Sequence, residues 1–531
     1  MLSHLLWSSA PSALDQGRTP YVDALRSARA HVAAPFFLPG HKLGEGLPDA
    51  AAPILSCAAP YDLPELGELD NLFAPVGPLD EAQRLAAEAF GARRTWFLAN
   101  GSSAGVIAAI VGCVRLAPPG ARAVLLPRNA HRSAVHALVH SGAQPVWLVP
   151  EIDERTGIAL GVDVHTTLHA ALAEHGAGAA CVLLVSPSYE GAVSDVRAAA
   201  ALCAEAGVPL VVDEAHGAHL SLAPGLPEGA LACGATLVVH STHKTLGALS
   251  QAAMLHAAHT PRPAGAIGAV YAAAARALAL DAAVSGALES VCSSSPSSLL
   301  LASLDAARHQ IAGAGARGPR ELRRAVRLAA AARRAFAREP LARPRLVALP
   351  APARGVAATD PLRLTVDAAS LGGGYALEAW LIENWGVYAE LASVDHLTFV
   401  LGPGTRGAHV RLLLAALRGA QACEPARARE AARSRLDRTR LGAVLAGSTQ
   451  LSTPRDAFYA QSEAVPIEDA IGRASAELVY SYPPGVPILC PGECVRAEAV
   501  ALLREVRELG GTIVAADGEL HTLLCLAEGA P

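Results

Sequence analysis

Short apolar runs alternate with stretches of helical period through roughly the first half of the chain. Thr95–Ala99, Ala123–Leu126, Pro145–Val149, Cys181–Val185, Pro209–Asp213 and Thr236–His240 are continuous and rich in Val and Leu. Strands buried on both faces read this way. Glu81–Phe90, Ser103–Val114, His131–Ser141 and Val196–Glu205 lie between them and predict helices. Strand and helix repeated in this order predict an α/β fold, with a doubly wound, mostly parallel sheet of the seven-stranded type. On such a sheet ligands collect at the carboxyl ends of the strands.

Beyond the sheet, Ala264–Leu280 and Leu299–Ala312 predict helices. From Arg317 to Arg345 the chain carries ten arginines against Glu321 and Glu339. Arg320, Arg323, Arg327, Arg334 and Arg338 share one helical face, with Leu322, Val326, Ala329 and Phe336 largely opposite, which predicts a solvated face. Leu346–Leu417 mixes strands near Pro361–Val366 and His396–Leu401 with helices near Tyr375–Trp385 and Gly407–Arg418. Glu424–Arg440 is charged and Ala-rich and predicts a linker. The tail holds a Pro-rich loop, Tyr482–Pro491, and a helix from Glu493 to about Leu509. The domains expected are an N-terminal arm and linker (1–75), a large ligand-binding domain (76–312), a small α+β domain (313–423) and a C-terminal domain (441–531).

With 531 residues, 52% hydrophobic and 17% charged, the chain can bury more than one core, and long disorder is excluded. A net charge of -5 gives no footprint for nucleic acid. No apolar run reaches the roughly 18 residues of a membrane span. Met1–Ala10 lacks a basic n-region and reads as a short arm rather than a targeting peptide. Ten scattered cysteines, mostly inside apolar runs, predict reduced thiols and a cytoplasmic setting. Only Cys490 and Cys494 are close, and no zinc-ligand spacing accompanies them. Of 43 basic residues only two, Lys42 and Lys244, are lysines. Lysine alone offers an amine that forms a Schiff base, so each lysine in so arginine-biased a chain is a candidate chemical group.

Four segments fall where the predicted sheet places ligand contacts. Asn100-Gly101-Ser102-Ser103-Ala104-Gly105 joins a strand to a helix and suits a phosphate, or is an ordinary capped turn. Asp213-Glu214-Ala215-His216-Gly217-Ala218-His219 closes an apolar strand with an acid, which also suits a helix cap or a metal ligand. Ser241-Thr242-His243-Lys244 puts a lysine at the end of the next strand. Arg128-Asn129-Ala130-His131-Arg132-Ser133 offers an imidazole at another strand-to-helix turn, where capping is its commoner role. Together the four supply what pyridoxal phosphate needs: a phosphate cradle, an amine, an acid for the ring nitrogen and a flat group for the ring face. No metal is called for.

These residues carry a resemblance. Ser241–Gln251 resembles the lysine-attachment signature of the fold type I ornithine/lysine/arginine decarboxylases, in a short form without the receiver-like N-terminal domain. Phe37–Lys42 is similar to the family's PGHK motif, which accounts for the second lysine. Glu68–Leu72 with Gly77-Pro78 and Glu81-Ala82, Ser293–Ser298 with Ala302–Asp305, and Tyr482–Pro487 with Pro491-Gly492-Glu493 are similar to three further segments. The similarity runs from about Thr19 to about Glu519.

The resemblance implies a large domain of the fold type I class with pyridoxal 5'-phosphate as cofactor. Lys244 is then the Schiff-base lysine and Asp213 the partner of the pyridine nitrogen. His131 stacks on the ring, and Ser102, Ser103, Ser241 and His243 hold the phosphate, His243 being also a proton donor. Ala215 and His216 line the ring. Ser293 or Ser294 reaches the cofactor of a partner subunit in a homodimer, and Glu493 reads the basic end of the substrate. Ala104 stands where the family has a third hydroxyl, and His216 where some members have tryptophan. The reaction implied is decarboxylation of a basic L-amino acid, arginine favoured over lysine or ornithine. An aminotransferase or lyase on the same fold, or a catalytically silent regulatory homologue, is the alternative.

Overall fold

The computed structural model describes residues 14–259, 267–313, 315–338, 345–422, 438–482 and 485–527. The apolar runs become β1 (Arg94–Leu98), β2 (Ala123–Pro127), β3 (Gln144–Leu148), β4 (Ala179–Val185), β5 (Leu210–Asp213) and β6 (Leu237–His240). A further strand not expected from the sequence, β7, spans Ala253–Ala257. Helices follow the expected positions as Pro78–Phe90, Gly101–Leu116, Arg132–Ser141 and Val196–Ala206. Met1–Ala10, the first residues of the helix expected from Ala264, most of the expected linker and Pro483-Pro484 lie outside the described residues.

The chain forms two compact units. One takes the stretches up to Leu116, Pro209–Ala223 and Glu228–Arg320; the other takes Ala117–Val208, Pro224–Pro227 and everything from Glu321 onward. In the first unit the strand order is β1-β7-β6-β5. β5 and β6 are parallel, with Asp213 beside Val239. β7 runs antiparallel to both β1 and β6, pairing His256 with Thr95 on one side and Met254 with His240 on the other. In the second unit the order is β4-β2-β3 and both pairings are parallel. The expected α/β class and predominantly parallel pairing therefore hold, and β7 makes both antiparallel pairs.

In the first unit the helix Gly101–Leu116 lies close against β1 and β6. A Cβ at Gly105 would sit 2.7 Å from Leu98 Cδ1 and 2.9 Å from Val239 Cγ1, so glycine is what lets helix and strands approach. An apolar core of Leu25, Leu69, Leu79, Phe97, Met254, Leu301 and Leu304 joins the N-terminal segment to the strands and to the helix Ser298–Ala312. The N-terminal helix Pro20–His31 is tied down as well, its first amides donating to the buried Asp305. Asp305 pairs with Arg308, which donates in turn to the carbonyls of Gln16 and Arg18.

In the second unit, Arg363–Asp367 and Leu391–Ala392 flank His396–Val400 in a small antiparallel sheet with the helices Gly374–Trp385 and Gly407–Ala422. The tail is richer than expected. Strands Ser462–Pro466 and Thr522–Leu526 pair, as do Val479–Ser481, Pro487–Leu489 and Ile513–Val514. The Pro-rich segment thus contains a strand. The last long helix begins at Ala497 rather than Glu493, and Leu502, Leu503 and Val506 bury its inner face against Val465, Val479 and Leu489. The arginine-rich helix Gly318–Arg338 turns its five named arginines to solvent and buries Leu322, Ala325, Ala329 and Ala332. Among the described residues no helix is long and apolar enough to cross a membrane.

Candidate active site

In the first unit the strand ends bring together much of what the sequence singles out. The Gly101–Leu116 helix begins two residues beyond β1, leaving amides without partners within the helix at Ser102 and Ser103. Ser241, the residue after β6, is buried, and its hydroxyl donates to Ser102 Oγ at 2.6 Å. Two hydroxyls and a helix N-terminus therefore meet at one point, a donor set that suits a dianionic phosphate. Gln251, in a left-handed turn at φ 79°, donates to the carbonyl of Ala99 and holds the end of β1 beside it.

Asp213 is the last residue of β5, and its Oδ1 accepts from the amide of Ala215 at 3.1 Å. Burial pushes its carboxyl above the usual carboxylate range, with the Lys244 ammonium and the Ala215 amide pulling the other way. Lys244 lies on the short helix Thr242–Thr245, with Nζ 3.0 Å from His216 Nε2. With the ammonium as donor, a neutral His216 carries its own proton on Nδ1. His216 and Ala215 are both buried. His243 Nδ1 donates to the carbonyl of Ala252 at 3.0 Å, which leaves Nε2 of the neutral ring as its acceptor. Ser293 and Ser294 are exposed, and the Ser293 amide donates to Asn100 Oδ1, just ahead of the Gly101–Leu116 helix.

The other lysine has a local use. Lys42 Nζ donates to the carbonyl of Phe37, and His41 Nδ1 accepts from the amide of Gly44, closing the turn of the PGHK segment on itself.

The remaining two candidates lie in the second unit. His131 caps the helix Arg132–Ser141, its Nδ1 facing the amide and hydroxyl of Ser133. Gly485 lies against it, since a Cβ there would sit 3.3 Å from the imidazole Cδ2. Glu493 has a partner the sequence did not suggest. Its carboxylate takes a two-pronged ion pair from Arg128, Nε to Oε1 at 2.9 Å and Nη2 to Oε2 at 2.7 Å, and also accepts from the Cys490 amide. Arg128 donates further to Ser448 Oγ and to the carbonyls of Pro487 and Ile488, with its guanidinium over the Trp147 ring. Both residues are almost fully buried, at 1% and 2% exposure. In this structure Glu493 therefore binds Arg128, where the expectation had it reading a substrate's basic end. The pair lies 365 positions apart in the chain, and no local pattern signals it.

Against known proteins, a family model for the Orn/Lys/Arg decarboxylase major domain matches residues 19–353, and one for the C-terminal domain of the same family matches residues 446–513. An arginine decarboxylase of Halalkalibacterium halodurans is 34% identical over 93% of this chain and 94% of its own length. One of Bacillus anthracis is 32% identical over 98% and 99%. Among solved structures, lysine decarboxylase A from Pseudomonas aeruginosa superposes with a TM-score of 0.76 at 21% identity, covering 96% of this chain and 80% of its own.

Proposed function

This chain belongs to the Orn/Lys/Arg decarboxylase family and is an amino-acid decarboxylase acting on a basic amino acid, and we propose that its substrate is arginine and its cofactor pyridoxal 5'-phosphate. Arginine is favoured because several relatives that align along nearly the whole chain are named arginine decarboxylases. The observation that carries the cofactor is the set in the first unit: paired Ser241 and Ser102 hydroxyls at a helix N-terminus, a buried acid at Asp213, and an amine held by His216. These residues fit the group.

When bound, pyridoxal phosphate supplies an electron sink for the electron pair left behind as CO2 departs. Ser102, Ser103 and Ser241 hold the phosphate with the helix amides. Asp213 holds a proton on the ring nitrogen, and that cation stabilises a carboxylate which burial alone disfavours. Lys244 supplies the amine for the cofactor aldehyde, oriented through Nζ by His216. A proton for the substrate Cα comes from Lys244 or from His243 in its protonated form. His131 is assigned the ring face and Ala215 the ring edge. Glu493 is reassigned from substrate contact to support of the turn that carries His131.

We also assign a homodimer, in which Ser293 or Ser294 reaches the partner's cofactor. Phe36, Leu38, Ile54 and Val76, all in the first unit, are between 74% and 95% exposed, and large apolar side chains this bare call for a cover. None of the nine described cysteines is in a disulfide, in keeping with a cytoplasmic setting. The test of the function is arginine-dependent CO2 release by protein loaded with pyridoxal phosphate. A keto acid formed in place of CO2 sinks the assignment.

A further inference from the structure

Behind the strand that ends in Asp213 and the one that leads into Ser241 runs a line of buried polar side chains that the reaction above does not use. Thr95 Oγ1 lies 2.8 Å from His256 Nδ1, His256 Nε2 lies 3.1 Å from His240 Nδ1, and His240 Nε2 lies 2.8 Å from Glu214 Oε2. Glu214 Oε1 accepts from the Ala230 amide at 2.8 Å. None of the four residues is more than 4% exposed. The line crosses β1, β7 and β6 and ends one residue beyond β5, in the order in which those strands pair.

Strand alternation fixes which face it occupies. Thr95 pairs with His256, and Asp213 pairs with Val239, so Glu214 and His240 point to the face opposite Asp213 and Val239. Val239 and Leu98 meet Gly105 of the helix whose first turn holds Ser102 and Ser103. That face carries the cofactor groups, and the polar line lies on the back, where Phe90 packs on both imidazoles at 5.0 and 5.3 Å between ring centres.

With Glu214 ionised and both rings neutral, one proton arrangement satisfies every contact. Thr95 donates to His256, His256 donates to His240, and His240 donates to Glu214. Burial and the neighbouring imidazole both hold His256 well below the ordinary histidine range, in keeping with a neutral ring. Four polar groups in an apolar sheet are costly to bury unless fully paired, and when fully paired they fix one geometry. This line ends on the residue after Asp213 and passes through the residue before Ser241.

We infer that Thr95, His256, His240 and Glu214 are positioning residues for the cofactor, joining the strand ends from behind so that Asp213 and Ser241 keep their places on the front face. The inference rests on the pyridoxal phosphate reading. Its test strips cofactor from the purified protein and titrates pyridoxal phosphate back into wild type, Glu214→Ala, Glu214→Gln and Thr95→Val. The visible absorption of the lysine-linked cofactor is followed, with kcat and KM for arginine and the melting curve of each cofactor-free protein.

Glu214→Ala is expected to weaken cofactor affinity at least tenfold and to lower kcat with little change in KM. Glu214→Gln is expected to stay near wild type, because its amide can donate to His240 and reverse every bond of the line, Thr95 then accepting. Folded Glu214→Ala with wild-type affinity and kcat overturns the inference, even if its melting point falls. Should Glu214→Ala not fold, Thr95→Val decides by the same criteria, with a loss of a few fold expected. Wild type that takes up no pyridoxal phosphate overturns the cofactor reading itself, which separates the two failures.

Discussion

Asp213 shows most directly how burial changes a carboxyl group. Its carboxyl is buried and raised above the ordinary carboxylate range, with the Lys244 ammonium opposing the shift. An acid raised in the folded state keeps its proton longer there than in the unfolded chain. Stability is therefore greatest below the unfolded pKa and falls as pH rises toward the folded one. Asp213→Asn removes that slope. Stripped of cofactor, the variant is expected to melt above equally stripped wild type near neutral pH, and a melting point at or below wild type contradicts this; loaded with pyridoxal phosphate, it is expected to lose most of its CO2 release. The sequence pointed to this position, along with Ser102, Ser241, His216 and Lys244, because each lies at or within four residues of the end of an apolar strand, the edge where such sheets collect ligands. Glu493 was read differently, because its partner Arg128 lies far away in the chain and burial cannot be seen in a motif.

At the level of elements, the Arg128–Glu493 pair ties the Pro-rich C-terminal segment to the turn after β2, three residues before His131. The Arg132 amide donates to the Gly485 carbonyl, and the Arg132 side chain donates to the Tyr480 hydroxyl, so the turn is held on both sides of His131. Glu493→Ala leaves the Arg128 cation buried with its main partner gone, a change that costs about 3–5 kcal/mol when one half of a buried pair is removed. Denaturant unfolding should show a loss of that order, and a change under about 1 kcal/mol contradicts the account. Leu503→Ala, in the fully buried face of the helix Ala497–Glu508, should cost about 2–5 kcal/mol by the same measurement. Most of the strands and helices of the first half could be placed from their apolar runs to within a few residues. β7 could not, since His256 interrupts its pattern and its alanines carry no strand preference. The short strands of the tail escaped for a related reason: runs of two to five residues among prolines and glycines show no period.

For the molecule as a whole, the proposed homodimer would cover the bare apolar side chains near the N-terminus with a second copy of the chain. Light scattering of the purified protein should return twice the 54.3 kDa of one chain. Val76→Glu, which places a charge on a residue 88% exposed here, should shift it toward the monomer and reduce activity. A monomeric wild type at full activity contradicts the assignment. The central claim is chemical and is tested by trapping CO2 from protein loaded with pyridoxal phosphate, offered arginine, lysine and ornithine in turn, beside Lys244→Ala. The expected result is release from arginine above the other two and none from the variant. Release that survives the loss of Lys244, or none from any of the three substrates, contradicts the account.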